Sequence, residues 1–261
     1  IDQAMAKKSL LEEPLIVNIG DSRKAIDTSK NKLRGSISIG GQEHYYLEGQ
    51  VALAIPTEDN EMIIYSSTQN PTEVQHLVSH VLDVPQNAIE VVTRRMGGGF
   101  GGKETDSSQL ACVCAIFAQQ SKLPVKARLS RKDDILMTGK RHDFKADYEV
   151  GYADDGKILG IEVDLAARCG YSLDLSKAIV SRALFHTDNA YFLPNATIRG
   201  FLCKTNTASN TAFRGCLLYT SDTADELSCF DLRCRRTINH KTTTTRKKYH
   251  DQYIKTQRTS L

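Results

Sequence analysis

The sequence predicts a mixed α/β (α+β) layer fold. Three observations carry that prediction. Short apolar runs alternate with a stretch of helical period between residues 51 and 129. A strong hairpin signal, Asp154-Asp155-Gly156, follows. The composition is that of an ordinary globular protein, with 40% hydrophobic and 25% charged residues in a chain of 261. Such usage excludes a wholly disordered, collagen-like or disulfide-scaffold chain, and no run approaches the roughly 18 apolar residues of a membrane span.

The elements follow in order. Residues 1–34 are polar apart from one strand candidate, Leu15–Ile19, and read as a linker or the end of an upstream domain. Residues 51–54 and 62–66 are apolar runs around a polar turn, a hairpin. Pro71 opens a helix with Val74, Leu77, Val78, Val81 and Leu82 on one face, and Pro85 ends it. Residues 89–92 read as a strand, 97–102 as a glycine-rich turn, and 107–120 as a buried helix rich in Ala and Cys. Residues 124–129 form the next strand, 144–151 and 158–167 the arms of the Asp-Asp-Gly hairpin, and 196–204 another strand.

The chain holds 34 Lys and Arg against 31 Asp and Glu, a formal +3. The excess sits at one end: residues 1–215 carry 25 basic and 26 acidic side chains, residues 216–261 carry 9 and 5. Seven cysteines include no CxxC pair, which argues against a zinc ribbon. With no secretory leader pattern, reduced thiols and a cytoplasmic location are expected. Cys112 and Cys114 lie two apart on the apolar helix and read as structural thiols. His76 and His80 share a helix face at metal-chelating spacing, but that face is polar and no HExxH glutamate accompanies them, so a solvated pair is expected.

The strongest chemical feature is RRMGGGFGGKE, residues 94–104. Glycines bare the backbone, so amide N–H groups can approach a ligand and adopt positive φ. Before a helix, such a turn can cradle an anion or an oxo group. It is not a P-loop, because Glu104 stands where Ser or Thr is needed. A tight structural turn and a nucleotide-phosphate cradle both stay open on spacing alone.

Five further blocks occur in fixed order around it: GGQEHYYLE (40–48), SSTQNP (66–71), TGKRHDF (138–144), SRALFHTDNAYF (181–192) and KTNTASNTAFRG (204–215). Together they resemble the molybdenum-binding large subunits of the xanthine dehydrogenase type, in the molybdenum hydroxylase family. The resemblance runs from about Leu33 to Gly215, and implies the first half of a molybdopterin-binding domain at 35–215. It implies that Gln69, Phe100, Gly101 and Arg214 contact the molybdenum cofactor, with Gln69, Phe100 and Arg214 in the metal's immediate environment. It implies Glu104 and Arg182 as substrate contacts, a pair suited to xanthine or hypoxanthine, since aldehyde oxidases of the family usually have apolar residues at both places. A carboxyl group can share a proton with a ring nitrogen, and a guanidinium can hold charge developing on a purine oxygen.

The implied reaction is hydroxylation of a purine carbon towards urate. Electrons leave through 2Fe-2S clusters and FAD on other domains or subunits, and a dimer mate is implied too. The family's catalytic glutamate lies beyond the matched region, so no catalytic base is assigned here. A fragment inactive by itself is expected, with neither nucleic acid nor membrane as partner.

The match stops at Gly215. The family continues with Phe-Gly-Gly, whereas CLLYTSDTADE follows here and resembles the translation of a sequencing-library adapter. Residues 216–261 therefore read as an unrelated low-complexity tail, a sequencing or reading-frame artefact. From Arg233 on, nine basic residues face one acid, Asp251, with few large apolar ones. Such a segment is expected to be disordered, and nucleic-acid binding through it is the functional alternative.

Overall fold

A computed structural model of the chain describes residues 1–214. The disorder and nucleic-acid binding expected of residues 216–261 lie outside that range.

Two sheets organise the described residues. The larger holds five strands: β1 (Leu15–Ile19), β9 (Ala196–Lys204), β8 (Ile158–Gly170), β7 (Phe144–Tyr152) and β2 (Asn31–Ile39), in that spatial order. The smaller runs β5 (Ile89–Val92), β4 (Met62–Ser66), β3 (Val51–Pro56) and β6 (Val125–Arg128). Each sheet has one parallel pair, β8 with β9 and β4 with β5, and every other neighbour is antiparallel. A parallel pair needs a crossover. α6 (Ser176–His186) lies in the first crossover and α3 (Pro71–Leu82) in the second.

The small sheet is covered by α3 and by α4 (Asp106–Ser121). Val74, Val78, Ala111, Cys114, Ala115 and Ala118 meet Ala52, Ala54, Ile64 and Ile89 in one apolar core. Alanines on α4 let the helix lie close to the strands, so a weakly amphipathic sequence still buries its sheet-facing side. α3 starts where predicted: Asn70 accepts the Glu73 N–H at 3.2 Å and Pro71 occupies the first turn. It ends at Asp83 in the left-handed region, φ +54°, two residues before Pro85.

The linker reading of residues 1–34 is corrected by the structure. That stretch contains α1 (Asp2–Ala6), β1, α2 (Ser22–Thr28) and the start of β2. β1 pairs residue by residue with β9, from Leu15↔Gly200 to Ile19↔Ala196. α2 buries Ile26 completely. It fits against Gly151 and Gly160, where an added Cβ would come within 2.9 Å of Ile26 Cα and 2.8 Å of Ala25 Cβ. A partner strand and two strand glycines thus make an element of a stretch with little apolar pattern of its own. β2, α6 and the short helix α5 (Arg131–Met137) were likewise absent from the sequence reading. α5 holds by its Ser130 cap, which accepts the Asp133 N–H, and by the buried Asp134. Neither feature has a hydrophobic period.

Candidate functional site

β4 and β5 run parallel, so the loops leaving both emerge at the same edge of the small sheet. One carries Ser67, Thr68 and Gln69, the other residues 97–102. This is how an amide and a glycine loop, thirty residues apart in the chain, come to touch.

The contact is specific. Gln69 Oε1 accepts N–H groups from Gly101 at 2.9 Å and Lys103 at 3.3 Å. The Gln69 backbone N–H donates to Lys103 O at 2.8 Å. With its acceptor occupied, the exposed side chain is left with Nε2, a pure donor. Gly98, Phe100 and Gly101 have φ of +95°, +56° and +99°. At Gly99 an added Cβ would stand 2.4 Å from Gln69 Oε1. Glycine is required there because the amide occupies the side chain's space. The N–H groups of Gly98, Gly99 and Phe100 have no hydrogen-bond partner among the described residues. Three successive bare donors beside a fixed amide donor make a cradle for an oxygen-rich or anionic group.

The segment 211–214, after β9, closes the loop from the other side. Arg214 N–H donates to Phe100 O at 2.8 Å, and a Cβ on Gly101 would meet Ala212 O at 2.5 Å. His44 Nε2 bonds Ala212 O at 2.6 Å and its ring lies 4.8 Å from that of Phe213. Burial lowers the His44 pKa, which favours the neutral ring.

Gln69, Phe100, Gly101 and Arg214 are therefore joined by direct hydrogen bonds. Glu104 follows two residues before α4. Burial, with the nearby charge of Asp174, raises its pKa. Asp106, in the first turn of α4, accepts the Gly139 N–H at 2.9 Å. Its carboxyl is pushed up to about 7, first by burial. A cavity of about 350 Å³ opens here, lined among others by Glu73, Leu77, Thr105, Asp106, Cys112 and Asp174. Cys112 faces this cavity half-buried, while Cys114 lies in the core. Arg182 sits exposed on α6, its side chain with no hydrogen bond or ion pair among the described residues. Nothing joins it to Glu104. His76 and His80 are both exposed.

The sequence reading gave no role to Glu48, Lys103, Asp106 or Asp174. Glu48 and Lys103 meet across 55 residues, and no local pattern signals such a pair. The phosphate-cradle alternative has the bare N–H groups but lacks a lysine to pair with the phosphate. Lys103, the cation that would reach a phosphate, is fully buried and bound to Glu48 and Ser67. Glu104 and Asp106 stand at the helix start instead.

Residues 6–219 match the family model described as the molybdopterin cofactor-binding domain. A xanthine dehydrogenase from Emericella nidulans is 47% identical over 216 residues, which cover 82% of this chain and 16% of the relative. A nicotinate hydroxylase from the same organism is 43% identical over 220 residues, again 82% of this chain and 16% of the relative. Among solved structures, an aldehyde oxidoreductase from Desulfovibrio gigas superposes with a TM-score of 0.76 at 22% identity, over 84% of this chain and 25% of that one. At that identity the likeness is one of fold. The chain spans about a sixth of the length of the curated relatives it matches.

Proposed function

The chain belongs to the molybdopterin cofactor-binding domain family, and from that premise we propose that it forms the cofactor and substrate wall of a molybdenum-dependent purine hydroxylase. Gln69, Phe100, Gly101 and Arg214 line the molybdenum end of the cofactor, and Glu104 and Arg182 face the purine. The observation that carries this reading is the saturated acceptor of Gln69, which turns a neutral N–H donor outward beside three unbonded loop amides. Bare N–H groups suit the oxygen ligands of such a group, and a side chain at Gly99 would displace the Gln69 amide that stands beside them.

When bound, the cofactor supplies oxygen transfer and takes up the substrate's electrons. The protein's own part is placement and charge. Gln69 Nε2 and the N–H groups of residues 98–100 donate to oxygen without adding charge. Glu104 keeps its proton to higher pH than an ordinary glutamate, as burial and Asp174 favour, so it can donate to a ring nitrogen. Arg182, free of intramolecular partners among the described residues, offers its guanidinium to an oxygen that gains negative charge.

The relatives include both a xanthine dehydrogenase and a nicotinate hydroxylase at nearly equal identity, so overall likeness does not choose the ring. The choice of purine rests on the Glu104 and Arg182 pair. The complete enzyme would draw on 2Fe-2S and FAD domains or subunits and a dimer mate. The 261-residue chain alone is expected to form no urate, and urate production by it would overturn that. In the complete enzyme, alanine at both Glu104 and Arg182 should lower kcat/KM for xanthine by about 100-fold or more. Unchanged purine turnover in that double variant would sink the substrate assignment.

A further inference from the structure

Resting on the cofactor reading, we propose that Lys103 and Glu48 are positioning residues, an ion pair of a buried lysine and a part-buried glutamate under the glycine loop that fixes the loop's course and so the direction in which Gln69 presents its amide. The Lys103 side chain is wholly shut off from solvent. An ammonium survives such burial only with its N–H groups matched. It donates to Ser67 Oγ at 2.8 Å and Glu48 Oε2 at 3.1 Å, and lies 4.8 Å from the centre of the Tyr46 ring. Tyr46 is itself anchored, its hydroxyl donating to the buried Asp134 at 2.6 Å.

Glu48 grips the far end of the loop. Its Oε2 accepts the Gly97 N–H at 3.0 Å, and its own N–H donates to Gly97 O at 3.1 Å. One carboxylate thus holds the first glycine of the loop and the residue after the last. The Lys103 backbone completes the link: its N–H reaches Gln69 Oε1, and its C=O accepts from Gln69 N–H and from Thr68 Oγ1 at 3.1 Å.

A lysine next to a glycine loop would ordinarily reach for a ligand. Here its charge is spent inside the protein, and its effect on a ligand passes through Gln69. An ion pair with one member fully buried adds little stability over an apolar pair of equal volume, and what it can add is a unique geometry. That separates placement from folding experimentally.

The test is site-resolved amide hydrogen exchange in the full 261-residue chain, with the Gln69 side-chain NH2 resonance as a second readout. Lys103→Met should speed exchange at the Gly97, Gly101 and Lys103 N–H groups by about tenfold or more, and should shift the Gln69 resonance. Amides inside α4 should stay within about twofold. Equal acceleration in the loop and α4, or an unchanged loop, would overturn the proposal. Should Lys103→Met fail to fold, Ser67→Ala removes one Nζ partner and is judged on the same amides, with about threefold expected. Molybdenum and pterin retention by the complete protein is measured in parallel. A wild-type protein that retains neither counts against the cofactor reading and leaves the clamp to the exchange data. Retention together with an unresponsive loop counts against the clamp alone.

Discussion

Glycines do two different jobs in the two sheets. In the five-stranded sheet, Gly151 and Gly160 admit α2, and Gly200 admits α6, where a Cβ would lie 2.7 Å from Val180 Cγ1. Gly200 pairs with Leu165, five residues from Gly160 along β8, so the two helices dock on opposite faces. These glycines serve packing. In the loop after β5, Gly99 and Gly101 abut an amide and a main-chain carbonyl, and the N–H groups of residues 98–100 have no partner among the described residues. Those glycines keep donors free. The lesson is that removing a side chain can let a helix approach or hold a donor free, and only the neighbours tell which.

That contrast can be broken most decisively by paired substitutions. Gly160→Ala is expected to destabilise the fold by about 2–3 kcal/mol, since α2 would have to shift. Urea unfolding measures it. Gly101→Ala, at φ +99° and facing Ala212 O, is expected to abolish molybdenum retention in the complete protein. It should also cost about 1–3 kcal/mol, because the clash is with main chain at a positive φ, so molybdenum retention by the folded protein, which Gly160→Ala should keep, separates the two variants. A folded Gly160→Ala protein that loses molybdenum as Gly101→Ala does would erase the distinction.

The two regions should also differ in how they respond to pH. Burial pushes His142, against Ser176 on α6, down to about 3, with Arg168 adding to the effect. The folded state then resists protonating a group that takes a proton near 6.5 when unfolded. Its stabilisation is whole above pH 6.5 and is lost as pH falls towards 3. Asp106 at the start of α4 works in reverse, because its folded value of about 7 lies above the unfolded 3.8. Its contribution is whole below pH 3.8 and is lost as pH rises through 7. Over pH 4–6.5 the two slopes oppose each other. Asp106→Asn should make stability rise with pH there, and His142→Gln should make it fall, each by up to a few kcal/mol over the range. Parallel curves for the two variants would contradict the assignment.

The smallest expected effect comes from the helix caps. Asp21 caps α2 by accepting the Lys24 N–H at 3.0 Å, and Asn70 caps α3 next to Gln69. Alanine at either should cost about 1 kcal/mol. Only Asn70→Ala should also weaken molybdopterin retention, because the same turn carries Gln69. Equal retention in both variants would show that the amide is held by the glycine loop alone.

Much of the small sheet was legible in the sequence. β3, β4, α3, β5, α4 and β6 were read within one to three residues of their ends, because each carries its own period, cap or breaker. The Asp154-Asp155-Gly156 hairpin was read for the same reason. β2 and α2 were not, since their apolar residues are few and their order comes from partners 100 residues or more away. The site shows the same division. Gln69, Phe100, Gly101, Glu104, Arg182 and Arg214 could be singled out from motifs in fixed order. Glu48 and Lys103 could not, as their meaning lies in a contact between loops.

By itself the sequence determined which segments could be strand or helix, where the chain must bend through positive φ, and which family's motifs it carries, because these are local properties of side chains and glycines. Tertiary structure alone decided that Gln69 Oε1 is taken up by the glycine loop, that Lys103 is sealed beneath the loop, and that Asp106 and His142 carry opposite pKa shifts. Each depends on desolvation and on partners distant in the chain, quantities that exist only once the two sheets have formed.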